Sequence, residues 1–189
     1  MNPKQPWSKL LFTGTRSWNS LTLSATAVAE SWIKGVKAVK LTTAATHYIT
    51  AGSHVTIDGT VNYDGTHKTL TGTATTLLYI PSRFVAETTA TADTVKFTLA
   101  PGHPFEYGGF RLKLSAASAT AEDLTITLDS GAGAVYDTQI YARDMNGIQY
   151  LQWNLQDNPM PFDRLDELDF AWANTNTKTY GLEVFYRRI

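Results

Sequence analysis

Short stretches that alternate apolar and polar residues fill the C-terminal part of the chain, residues 105–189, and restrict its fold more than any other feature. Side chains on a β-strand point to opposite faces with a period of two, so each stretch predicts a strand with one buried and one solvent-exposed face. Turn sequences such as Asn146-Gly147 and Asp157-Asn158-Pro159 separate the stretches. We expect an all-β fold in which residues 101–189 form a jelly-roll or immunoglobulin-like β-sandwich. The apolar positions are Phe110, Leu112, Leu114; Leu124, Ile126, Leu128; Leu151, Trp153, Leu155; Leu168, Phe170, Trp172; and Leu182, Val184, Tyr186.

A second unit is predicted over residues 36–100. Val55 and Ile57 alternate with polar neighbours, and the Asp64-Gly65 step that follows is a strong hairpin signal. Four or five short strands in this stretch predict a small β-barrel-like module. Thr is abundant, and this β-branched residue suits half-exposed strands.

Residues 1–35 are the least regular part and are interpreted as an extended N-terminal arm. One short helix is expected over residues 24–33, because Ser24 is a plausible N-cap, Gly35 is a plausible stop, and Val28 and Trp32 are four residues apart.

The large apolar residues of the arm have two interpretations. The arm either folds back over the edge of its own sandwich or lies on a neighbouring subunit, because aromatic residues are favoured as interface anchors. Phe185 is a further candidate, since its position is out of phase with the apolar residues around it. The candidate interface residues are therefore Trp7, Leu11, Phe12, Trp18 and Phe185.

Charge and composition exclude several classes of protein. The formal net charge is −1, and no run of Lys and Arg extends beyond Arg187-Arg188, so no nucleic-acid partner is expected. The chain has no Cys, which excludes disulfides and thiolate metal sites. Neither a signal peptide nor a membrane span is indicated near the N-terminus, and we expect synthesis in a cytoplasm and no membrane partner.

No pattern in the sequence indicates catalysis or a cofactor. His47, His54 and His67 lie close together in the predicted module, but their spacing matches no known metal-ligand pattern. No nucleophile elbow and no phosphate-binding glycine loop occurs. We expect no catalytic residues, no metal and no cofactor, and hence no enzyme.

An acidic group near the C-terminus is the remaining candidate for chemistry. Asp163, Asp166, Glu167 and Asp169 could serve glycoside hydrolysis or bind Ca²⁺. Their position beside Pro161-Phe162 instead favours the solvated side of a turn and of the next strand. A hydrolase that uses them is the most distant of three hypotheses.

Part of the chain resembles a family of known proteins. The run Ile49-Thr50-Ala51-Gly52-Ser53-His54-Val55-Thr56-Ile57-Asp58-Gly59-Thr60, followed by Tyr63-Asp64-Gly65-Thr66, resembles a small β-module of structural proteins from tailed bacteriophages. The stretches Asp123–Ser130 and Tyr180–Val184 are similar to β-sandwich domains of phage virion proteins. The resemblance implies a virion component, such as a capsid decoration, head-fibre or tail-associated protein, that forms homo-oligomers.

Two functional hypotheses follow. The first is a non-enzymatic structural component of a phage particle, located in the virion, whose partners are copies of itself and other virion proteins. The alternative is a carbohydrate-binding β-sandwich module, in which aromatic residues outside the core stack on a glycan. The aromatic residues considered for this role are Tyr141, Tyr150, Trp153, Trp172, Tyr180, Phe185 and Tyr186.

Overall fold

The computed structural model of the protein describes residues 5–70 and 75–189, and all its regular structure in these ranges is β apart from one 3-10 turn, Ala134–Tyr136. Every paired strand is antiparallel, which confirms the predicted all-β fold. The strands are β1 Ser8–Gly14, β2 Leu21–Thr22, β3 Ala29–Ile33, β4 Val36–Thr42, β5 His54–Asp58, β6 Gly65–Lys68, β7 Leu77–Ile80, β8 Thr94–Lys96, β9 Thr98–Leu99, β10 Phe105–Leu114, β11 Asp123–Asp129, β12 Thr138–Asp144, β13 Tyr150–Asn154, β14 Met160–Phe162, β15 Glu167–Ala171 and β16 Tyr180–Arg188.

Two sheets form the sandwich. The front sheet has the strand order β1-β16-β10-β13, with β14 also paired to β10, and the back sheet has the order β12-β11-β15-β9. The predicted alternation is confirmed on β10, where Phe110, Leu112 and Leu114 are buried while Arg111 and Lys113 are exposed. β10 therefore presents its apolar face to the other sheet.

Aromatic side chains fill much of the space between the sheets. The ring centroids of Phe110 and Tyr141 are 5.3 Å apart, and Tyr141 stacks on Trp153 at 4.7 Å. Phe12 of the front sheet approaches Phe170 of the back sheet at 6.4 Å. Such pairs contribute beyond their buried area, so they help to fix how the sheets face each other.

The middle of the chain forms a module of two small sheets, with the orders β2-β8-β5-β6 and β3-β4-β7. The helix expected over residues 24–33 is wrong, because β3 occupies Ala29–Ile33 and pairs with β4. Lys34 and Gly35 both have positive φ, 50° and 82°, which suits the tight hairpin turn between these strands. The pairing with β4 overrides the local helical signal.

Strand pairing crosses the predicted limits of the three units. β1, in the predicted arm, pairs along its whole length with β16, from Ser8 opposite Tyr186 to Gly14 opposite Tyr180. β9, in the predicted module, pairs with β15 of the back sheet. The division into residues 1–35, 36–100 and 101–189 stays a prediction, but these two strands belong to the sheets of the sandwich.

The module covers the other edge of β1. The backbone N–H of Leu11 donates to Nδ1 of His54 at 2.9 Å, and that of Thr13 donates to Oγ of Ser53 at 3.0 Å. The N–H of Thr15 donates to the carbonyl oxygen of Tyr48 at 3.3 Å. Side chains and loop backbone thus take the place of a further strand. Across the described ranges, no helix has the length and apolar character needed to cross a membrane.

Candidate functional site

Two of the predicted interface residues lie inside the chain's own core. Phe12 is 0 % exposed and Trp18 is 1 % exposed. Trp18 packs edge-on against Trp172 and Tyr180, with ring centroids 5.5 and 5.3 Å apart. Phe12 and Trp18 were expected to anchor a neighbouring subunit. The structure corrects this expectation, because β1 folds back onto its own sandwich and buries both side chains.

Trp7 packs on the outer face of the front sheet. Its ring lies 4.4 Å from Cζ of Arg187, which is buried and paired with Glu106. A Cβ added to Gly108 would lie 2.5 Å from the Trp7 ring, so the absence of a side chain at Gly108 makes room for the indole. Trp7 is half-buried and contributes to this surface.

Phe185 and Leu11 lie on the same outer face. Phe185 is only 5 % exposed, because the cations of Lys9 and Arg111 each lie 5.2 Å from its ring centroid. Phe185 lies on the outer face of the sheet, out of phase with its apolar neighbours, and charged side chains on both neighbouring strands cover it. Leu11 lines a shallow groove of about 360 Å³ beside Gly181.

The side of the sandwich formed by β12 and β13 is open. These strands are the outer members of their sheets, and no strand in the described ranges pairs with their free edges. Tyr150 on β13 is 57 % exposed, and Val135 and Tyr136, just before β12, are 88 % and 63 % exposed. Exposed edges of this kind are templates for pairing with another chain.

A pocket of about 720 Å³ lies where the segment after β1, the loop before β5 and the turn before β16 meet. We call it the Arg16 pocket. Its lining is mainly hydroxyl and amide side chains, together with the ring of Tyr48, which is 46 % exposed. The lining includes Arg16, Ser17, Asn19, Thr46, Tyr48, Asn174 and Thr175.

Arg16 is held in place by backbone carbonyls. Its Nε donates to the oxygen of Ser17 at 2.7 Å and its Nη2 donates to the oxygen of Asn19 at 2.5 Å. The guanidinium also lies 5.5 Å from the ring centroid of Phe97. Burial lowers the pKa of Arg16, and Tyr180 opposes this effect. No carboxylate of the described residues forms a salt bridge with Arg16.

The backbone around the pocket takes uncommon conformations. Tyr48, Asn174 and Thr177, all in the lining, have φ values of 46°, 46° and 49°. Asn174 is 2 % exposed, and its Nδ2 donates to the carbonyl oxygens of Thr15 and Lys178, both at 2.9 Å. Positive φ at a non-glycine residue costs free energy, so it persists only where surrounding contacts stabilise it. The hydrogen bonds of Asn174 are such contacts.

The three histidines of the module make contacts that stabilise the fold. His47 is 0 % exposed, accepts from the N–H of Ile49 at 3.0 Å and contacts the oxygen of Leu77 at 3.1 Å. Burial lowers the pKa values of His47, His54 and His67. Within residues 5–70 and 75–189, no group of three or more His, Asp or Glu residues is arranged to hold a metal ion.

The acidic residues near the C-terminus stabilise loops. Asp166 accepts from the N–H groups of Gly131 and Asp163 at 3.0 and 2.9 Å, which ties two loops together. Asp169 accepts from the hydroxyl of Thr98. Burial raises the pKa of Glu167, and the charge of Asp169 adds to this effect.

Sequence reasoning did not find the Arg16 pocket. Its residues come from three distant parts of the chain, and the positive φ of Tyr48 has no signal in the sequence. The turn Asn174-Thr175-Asn176-Thr177 was recognisable, because Asn tolerates the left-handed region. A lone Arg after a strand carries no comparable signal.

Comparisons of the chain with protein-family models, with curated protein sequences and with solved structures gave no match.

Proposed function

We propose that the protein is a non-enzymatic structural component of a phage particle, which acts in the virion through contacts with copies of itself and with other virion proteins. The resemblance of residues 49–66 to a phage β-module motivates the proposal. The all-β fold fits that resemblance.

The observation that carries the proposal is the open side of the sandwich. The opposite side is covered by the module, whereas the free edges of β12 and β13 lie beside exposed Tyr136 and Tyr150. Unpaired edges promote association unless charges, bulges or another chain protect them. β12 carries a bulge and the charged residues Arg143 and Asp144, whereas β13 has no charged residue and pairs with β10 without a bulge. We infer that a second copy of the chain pairs along β13.

The mass of the protein in solution, measured by light scattering after gel filtration, tests this proposal. We expect an oligomer of the 20.8 kDa chain that dissociates in Gln152→Lys, because a charge on the uncharged edge strand β13 disfavours strand pairing. Ala92→Lys, at an exposed turn of the module, is the matched control and should stay oligomeric. A native monomer that also fails to co-purify with phage particles would contradict the proposal.

A second candidate function is carbohydrate binding, and the Arg16 pocket favours it. Its volume lies in the range of about 300–1,000 Å³ that is typical of small-ligand sites. Hydroxyl and amide side chains surround the half-exposed ring of Tyr48, which offers a sugar both hydrogen bonds and an apolar face.

Titration with glycans, followed by intrinsic tryptophan fluorescence and calorimetry, tests the second candidate. Tyr48→Asn removes the ring while keeping a residue that tolerates positive φ, so the fold should survive and glycan binding should be lost. Tyr150→Asn, which removes an exposed ring on β13, is the matched control. Binding that survives Tyr48→Asn but is lost in Tyr150→Asn would move the site to the front sheet.

A further inference from the structure

We propose that the Arg16 pocket takes a saccharide that carries a carboxylate, and that the guanidinium of Arg16 binds this carboxylate. The proposal rests on the second candidate function, carbohydrate binding, and adds the chemical class of the sugar.

The charge of the pocket supports an anionic ligand. Arg16 is the one formally charged residue among the described residues of the lining. Glu122 contacts the rim, where it accepts from the N–H and the hydroxyl of Thr175 at 3.2 and 3.0 Å, but it does not line the pocket. His47, which lies behind the pocket next to Tyr48, has its pKa lowered mainly by burial and stays neutral at pH 7.

The contacts of Arg16 leave part of its guanidinium available. Nε and Nη2 donate to the carbonyls of Ser17 and Asn19, whereas Nη1 has no acceptor among the described residues. A partly buried cation without a counter-ion is costly, and an anionic ligand would relieve that cost. The two carbonyls also hold the planar fork in one orientation, which limits the entropy lost when a carboxylate binds.

The size and lining of the pocket favour a sugar acid over a small inorganic ion. A cavity of about 720 Å³ is far larger than an ion needs, and Asn19, Thr46 and Thr175 supply further hydrogen-bonding groups around it. Tyr48 presents its ring at the same site. A single cation matches a monoanion, so a carboxylate fits better than a doubly charged phosphate ester.

The conformations around the pocket indicate that it is preformed. Tyr48, Asn174 and Thr177 hold positive φ, and buried Asn174 fixes the turn to the segment after β1 through its hydrogen bond to Thr15. Backbone held in this way does not need to be ordered again on binding, and preorganisation raises affinity.

The experiment uses the full chain on an array of neutral, carboxylate-bearing, sulfated and phosphorylated glycans. Calorimetry then compares the best carboxylate-bearing glycan with its methyl ester, which keeps the sugar and removes the charge. We expect binding to favour the carboxylate, to weaken with added salt and to fall at least about tenfold for the methyl ester.

Arg16→Gln should reduce the affinity for the carboxylate-bearing glycan to that for its methyl ester. Arg111→Gln, which removes an equal charge from the front sheet, is the control and should leave both affinities unchanged. If Arg16→Gln fails to fold, the comparison of acid and ester on the native protein decides the question. If neutral glycans bind as tightly as the carboxylate-bearing glycan and this binding is lost in Tyr48→Asn, the carboxylate inference is overturned but carbohydrate binding stands. Preference for sulfated or phosphorylated glycans would also overturn it, and an array without any binding would overturn both.

Discussion

Single side chains join the module to the sandwich. Nδ1 of His54 accepts from the N–H of Leu11, and Oγ of Ser53 accepts from the N–H of Thr13. Gly14 allows the loop to approach closely, because a Cβ at this position would lie 2.5 Å from the oxygen of Tyr48. The contact between the two parts therefore depends on a few specific atoms on β1.

Stability should fall in mild acid because of the buried histidines. The folded protein holds His47 neutral with a pKa below 6.5, whereas the unfolded chain takes up a proton near pH 6.5. Below about pH 6.5 the unfolded state therefore binds more protons than the folded state. The free energy of unfolding is highest above about pH 6.5 and decreases below it, by at most about 1.4 kcal/mol per pH unit for this residue.

Urea unfolding at pH 7.5 and pH 5.5 measures this effect. His47→Gln should be less stable at pH 7.5, because it disturbs the contacts with Ile49 and Leu77, but its stability should depend less on pH. His103→Gln, in the loop before β10, is the control. An unchanged pH dependence in His47→Gln would contradict the assignment.

Residues differ in how far the sequence predicts their role. The orientation of Phe185 was readable from its phase on β16, but its burial was not, because Lys9 and Arg111 come from other strands. Tyr48 was not recognisable as a pocket residue, since its backbone conformation is imposed by contacts distant in sequence. Strand periodicity reports which face a residue occupies and not what covers that face.

At the scale of elements, β1 is central to the sandwich. It lies between β16 and the module, and it contributes buried Leu10 and Phe12 to the core. Trp18 follows it and is also buried. Burying each such side chain stabilises the fold by about 1.5–3 kcal/mol.

Removal of residues 1–19 should therefore unfold the protein, because the free energy lost with these side chains is comparable with a total stability of about 5–15 kcal/mol. Circular dichroism and the dispersion of amide signals in NMR spectra measure the result. Removal of residues 1–6, which leaves β1 complete, is the control. A folded monomer after the longer deletion would support an arm that binds a neighbouring subunit.

Elements also mark where local sequence signals fail. The sandwich strands β10, β11, β13, β15 and β16 were predicted from the alternation of their apolar residues, whereas β1 and β9 were assigned to the arm and the module. The segment over residues 24–33 was predicted as a helix, but its second half forms β3, since pairing with β4 decides its conformation. Partner strands distant in sequence cannot be identified from local propensity.

At the scale of the whole molecule, the module and the sandwich share one apolar core. Phe97, between β8 of the module and β9 of the back sheet, packs against Phe12 and Trp18 with ring centroids 5.1 and 6.2 Å apart. The two sheets of the sandwich were predictable from alternation. The continuity of these sheets with the module was not predictable, because it depends on contacts of Phe97 with Phe12 and Trp18, which are distant in sequence.

The pairing of β1 with β16 has a consequence for biosynthesis. Lys9 and Glu183, which form a salt bridge across this pair, are 174 positions apart. A nascent chain emerging from the ribosome exposes β1 well before β16, because all the intervening strands are translated between them. Until then β1 can engage only the module, and completion of the front sheet must wait for the last strand to be translated. Long-range closure of this kind is slow, so a stalled or truncated translation product would leave an apolar strand open to aggregation.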